Sequence, residues 1–116
     1  MPLSPAERLH RVVTALVEMR RHPEFIQFLD NLHHSQLTPQ ELRTSLDRRA
    51  HALQGILRQL IIEGQAAGEV AAGDPDQLLR AILACLDGLV RLAHYYPEDY
   101  DEHFPDAQIF LRMLKP

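Results

Sequence analysis

The chain has 116 residues, with twelve Lys or Arg against sixteen Asp or Glu for a net charge of −4, and 46% of it is hydrophobic. That length fits one domain around one core, spanning residues 1–116. The acidic balance argues against this chain holding nucleic acid alone, since cationic neutralisation of phosphates supplies most of such affinity. The one cysteine, Cys85, rules out an intrachain disulfide. With no apolar run near the roughly 18 residues of a membrane span and no signal peptide at Met1-Pro2-Leu3-Ser4-Pro5, a cytoplasmic protein without membrane contact is expected.

The apolar spacing is helical throughout, and no alternating run or hairpin dipeptide reads as strand, so an all-α fold of about five helices is expected. A first helix is predicted from about residue 5 to 21. Ser4 is its N-cap, Pro5 its first residue, and Glu7 completes a Ser-x-x-Glu box. Leu9, Val12, Val13, Leu16 and Val17 make its apolar stripe, and Arg20 and Arg21 suit the negative end of its dipole. Pro23 restarts the chain into a second helix, about 23 to 34, with Phe25, Phe28, Leu29 and Leu32 on the inner face and His33 and His34 at its end.

A third helix is predicted after Thr38 and Pro39, with Thr38 and Glu41 in a capping-box pattern, running to about Glu63. At about 38 Å it is the longest element. Leu42, Leu46, Ala50, Leu53, Leu57 and Leu60 form its main stripe, widened by Ile56, Ile61 and Ile62. Gly64 and Gly68 then lower helix propensity and offer a left-handed C-cap. The fourth helix, about Pro75 to Tyr96, opens with Asp74 as N-cap, Pro75 and Asp76. Apolar residues cover most of its circumference, so one side faces the core and the other asks for a partner, of which a second copy is the natural candidate. Gly88 in mid-helix points to close approach of another backbone. After Pro97 an acidic surface loop, Glu98–Glu102, leads to a last helix at about 105 to 114.

No catalytic constellation with specific spacing is present, so an enzyme is not expected, and no cofactor is implied. Asp47 and His51 lie four apart, but Arg43 makes them part of a solvated charge ladder more readily than a metal clip. His94 and His103 flank the acidic loop and read as solvated; no metal site is expected. Asp87 and Arg91 are an i,i+4 pair in phase with Arg80 and His94; the interface reading is preferred for the first two and simple exposure for Arg80. Cys85 lacks a basic neighbour and reads as a core or interface thiol. Phe25, Phe28, Met19, Leu53, Ile56, Leu57, Leu60 and Leu86 can line an apolar pocket, with Arg48, His51 or Gln54 as polar contacts. The same residues make a dry core equally well.

The run Glu63-Gly64-Gln65-Ala66-Ala67-Gly68-Glu69 with Asp74-Pro75-Asp76 resembles the linker between the seventh and eighth helices of TetR-family transcriptional regulators. Leu86-Asp87-Gly88-Leu89 is similar to the middle of the eighth. Leu3–Leu9 and His22-Pro23-Glu24-Phe25 resemble the entry to the fifth and the break before the sixth. The resemblance covers essentially the whole chain. It lacks the family's N-terminal helix-turn-helix domain of roughly fifty residues, so either an excised regulatory domain or a natural protein without the reader is expected. It implies an effector-binding and dimerisation bundle, with a small apolar effector held by Phe25, Phe28, Arg48, His51, Leu53, Gln54, Leu57 and Leu86. It further implies a four-helix homodimer interface through Leu78, Ile82, Cys85, Gly88, Leu89, Leu92, Ile109, Phe110 and Met113. The effector would control DNA binding allosterically in a parent protein. The alternative is a structural dimerisation module with a filled core and no ligand.

Overall fold

A computed structural model describes residues 2–98 and 102–116, apart from the side chains of Pro23, His33 and His34. Among these residues the chain is all-α, with five helices in the order expected. Helix α1 (Pro5–Arg20) starts as its capping box predicts, the Ser4 hydroxyl accepting from the Glu7 N–H at 3.2 Å. Helix α2 (Pro23–His34) starts on its proline without a side-chain cap. Helix α4 (Pro75–Tyr95) is capped by Asp74, whose carboxylate accepts from the Asp76 N–H at 2.9 Å. Helix α5 (Ala107–Arg112) is shorter than expected because Asp106 caps it late, accepting from the Gln108 N–H, and Met113 already leaves it. The centre of the acidic loop, residues 99–101, lies outside the described residues.

Helix α3 (Gln40–Ala66) departs from expectation at both ends. Thr38 does not cap it. The turn before it is closed by Ser35, whose hydroxyl accepts from the Leu37 N–H and whose carbonyl accepts from Thr38 N–H and from Arg43. Pro39 is left as the N-cap, with no side-chain bond. At the other end the helix runs a turn past Glu63. Gly64 stays helical because its missing Cβ makes room for Val70: a Cβ there would lie 2.3 Å from the valine Cγ2. The terminator is Gly68, at φ +73°. Its N–H reaches the Gln65 carbonyl at 3.1 Å and the Glu69 N–H reaches the Gly64 carbonyl at 2.8 Å, the two bonds of a Schellman motif. The Gln65 amide then donates to the carbonyls of Ala71 and Gly73, and Ala71 N–H donates to the Leu114 carbonyl at 2.7 Å. The α3–α4 connection is thus built into the body of the protein.

Ion pairs give the helix directions. Arg8 of α1 meets Glu63 of α3 at 3.4 Å, and Arg58 of α3 meets Asp76 of α4 at 2.7 Å. Helix α3 therefore runs antiparallel to both, and α5 crosses the start of α1, where Gln108 lies 3.4 Å from His10. The core joins Leu9, Val13 and Val17 to Leu57, Leu60 and Ile61, Val70, Leu79, Ile82, Leu86 and Leu89, and Phe110, Leu111 and Leu114.

Helix α2 packs chiefly on α1 and buries a narrower strip than its pattern implies. Ile26 is its buried residue; Phe25, Leu29 and Leu32 are half-buried, and Phe28 is exposed. The N-terminal half of α3 projects past the core, leaving Leu42 and Ala50 exposed. The radius of gyration is 15.5 Å, against about 13 Å for a compact chain of this length.

Candidate functional site

Helix α4 presents three faces. Leu79, Ile82, Leu86 and Leu89 turn into the core. At about 100° per residue, Arg80, Leu83, Ala84 and Asp87 form a second stripe, and Cys85, Gly88 and Leu92 a third, on opposite flanks of the core face.

The second stripe borders a cleft of about 710 Å³ walled by Leu16 and Arg20 of α1 and by Ala50, Leu53 and Gln54 of α3. This volume lies within the roughly 300–1,000 Å³ range of small-molecule sites. Arg20 is fixed at the wall by donating from one guanidinium nitrogen to the Leu16 carbonyl at 2.8 Å. Arg80 and Asp87 have no ion pair among the described residues, and the Asp87–Arg91 pair is not formed. Three of the residues assigned to a ligand from sequence, Leu53, Gln54 and Leu86, are brought together here. Leu57 lies fully buried in the core. Phe25, Phe28 and His51 are placed outside the cleft, and Arg48 borders a separate open hollow at the start of α3, beside Glu41 and Ser45. Arg80, read as simply exposed, and Asp87, read as an interface residue, both border the cleft; their in-phase spacing on one helix face was the signal, and nothing local to α1 signalled Arg20.

The third stripe joins α5 in an apolar groove of about 440 Å³ lined by Cys85, Gly88, Leu89, Leu92, Pro105, Ile109, Phe110 and Met113. Seven of the nine residues assigned to a dimer seam meet here. The other two turn inward: Ile82 is fully buried and Leu78 packs half-buried against the core. Leu92 and Ile109 are about half exposed, and Cys85 is exposed. A Cβ on Gly88 would meet nothing within 4 Å, so no contact within this chain requires glycine there.

The hydrogen bond from Arg58 holds the Asp76 carboxyl below its ordinary value and raises the arginine in return. Among the described residues no three His, Cys, Asp or Glu converge to hold a metal, and no helix is long and apolar enough to cross a membrane.

Among the described residues the protein is an all-α bundle of five helices, with α4 lying between a cleft and an apolar groove. Residues 2–91 match the family model described as tetracyclin repressor-like, C-terminal domain, and the chain belongs to that family. No curated protein and no solved structure is matched.

Proposed function

We propose that the chain is the sensing and homodimerising domain of a TetR-like transcriptional regulator. A small, largely apolar effector occupies the cleft between α1, α3 and α4, and a second copy packs on the α4–α5 groove to make a four-helix interface. The observation that carries this reading is the position of α4: one flank borders the cleft and the other borders the groove. A ligand wedged against the Arg80–Asp87 flank changes how α4 sits against its partner. In a regulator with attached DNA-reading domains, that shift would alter their spacing, provided the ligand binds one arrangement better than the other. The role is non-catalytic and belongs in the cytoplasm.

The rival reading is a dimerisation module without a ligand, and it draws on Leu57 and Ile61 being fully buried in a core that needs no filler. Sedimentation and a thermal-shift screen separate the possibilities. The wild type is expected to sediment as a dimer, and Gly88→Leu and Leu92→Glu as monomers. Since Gly88 has open space around it, its replacement by leucine leaves the monomer's helix intact or improved. Loss of the dimer is therefore separable from loss of the fold. A monomeric wild type overturns the interface, and a screen in which no small molecule raises the melting temperature favours the ligand-free module.

A further inference from the structure

The cleft carries more than an apolar wall. Resting on the assignment of the cleft as the effector site, we propose that its ligand is an amphipathic organic anion: a carboxylate or similar head held by Arg80 beside Gln54, with an apolar body lying along Leu53 and Leu83. Three observations lead there.

First, Arg80 stands at the cleft without an ion pair among the described residues. The carboxylate one turn before it, Asp76, is already taken by Arg58 at 2.7 Å. Its planar guanidinium is suited to bidentate binding of a carboxylate. Second, the cleft's charge is graded. Arg58 meets Asp76 and the two helices are antiparallel, so one turn further along each brings Gln54 next to Arg80. Asp87 lies two turns away, about 10 Å along the axis. Helix α1 runs parallel to α4, which brings Arg20, at its C-terminal end, toward the Asp87 end. Asp87 thus lies at the end of the cleft away from Arg80, while at the near end two arginines, Arg58 and Arg80, act on the one carboxylate of Asp76. Third, the wall between the two ends is leucine and alanine, so a ligand reaching from Arg80 along the cleft meets apolar surface, which strengthens binding of an alkyl or aryl body by about fourfold per buried methylene.

Octanoate, octan-1-ol and octylamine share a body and differ in head, and they serve as probes by calorimetry or by NMR titration of the full chain. Octanoate is expected to bind tightest. Arg80→Gln is expected to weaken it by between about 1.5-fold and fivefold, the range for losing an ion pair at a solvent-accessible site, and to leave octanol unchanged. Octanoate binding is also expected to weaken as salt rises, and octanol binding is not. Ala84→Trp, at an exposed helix position in the cleft, is expected to block all three while the circular dichroism melt stays that of a folded helical chain. Octanol or octylamine binding as tightly as octanoate, or an Arg80→Gln variant with unchanged octanoate affinity, overturns the anion while leaving an Ala84→Trp-sensitive cleft standing. If none of the probes binds, or if Ala84→Trp changes nothing, the cleft assignment itself falls.

Discussion

Gly64 shows how much one missing methyl group decides. A residue read from the sequence as weakening the end of α3 is a packing site, buried against Val70 across the connection. Gly64→Ala would push its new Cβ into the valine, which cannot retreat because the Glu69 and Val70 N–H groups both bond the Gly64 carbonyl. The expected cost is about 1–3 kcal/mol, as for other overpacking changes, read as a lower urea midpoint at unchanged m-value. Pairing the change with Val70→Ala is expected to recover part of that loss, so the double mutant should be less destabilised than the two single effects added. Gly68 has a different reason for being glycine: open space surrounds it, but its positive φ is a conformation that side chains resist. At the centre of the core, Leu57→Ala is expected to cost about 2–5 kcal/mol by leaving a cavity where α1, α3 and α4 meet.

Between elements, the Arg58–Asp76 pair ties α3 to the first turn of α4. The Asp76 carboxyl is held below its ordinary value of 3.8 in the folded chain. The pair's contribution is therefore present at pH above that value and is lost as the pH falls through the depressed one. Thermal melts of the wild type and of Arg58→Gln are expected to differ at neutral pH and to converge in acid below pH 3.8. A constant difference at every pH would mean that Arg58 acts through its packing. Both residues are about half exposed, so the effect is small and screened by salt. The helices and their order were legible in the sequence because caps and prolines are local signals: Ser4, Asp74 and Pro75 act where the pattern places them. The start of α3 was not, because the helix begins one residue later than the capping pattern places it, at Gln40, leaving Pro39 as the N-cap and Thr38 in the turn closed by Ser35. The inner face of α2 was misread because four apolar residues in phase do not say how many neighbours the helix has; packed mainly on α1, it buries Ile26 and leaves Phe28 in solvent.

For the whole molecule, the central feature is the division of α4 between the two clefts it separates. If the α4–α5 groove is a homodimer seam, the melting temperature of the wild type is expected to rise with protein concentration, because association stabilises the folded state by mass action. The Leu92→Glu variant is expected to melt at a concentration-independent temperature. A wild-type melt independent of concentration, together with monomer sedimentation, would remove the seam. The outward apolar side of α4 was legible, since a helix apolar nearly all round must have one; seven of the nine residues assigned to a dimer seam line the groove there, with Leu89 and Phe110 also buried in the core. The ligand residues were less so. Leu53, Gln54 and Leu86 reach the cleft, while Leu57 on the same stripe of α3 is swallowed by the core.

The amino-acid sequence by itself determined what depends on neighbours along the chain: the helices and their order, the Ser4 and Asp74 caps, the proline starts, the resemblance to TetR-family regulators, and the excess apolar surface of α4. Only the tertiary structure decided which face of each helix meets what, because burial depends on where distant segments dock. The antiparallel run of α3 between α1 and α4 places Arg20, Gln54 and Arg80 around one cleft, a gathering that no spacing within a single helix encodes. The projection of α3 past the core leaves Leu42 and Ala50 of its apolar stripe exposed for the same reason: hydrophobic periodicity specifies a face, and the lengths and directions of the neighbouring helices determine how much of it is covered.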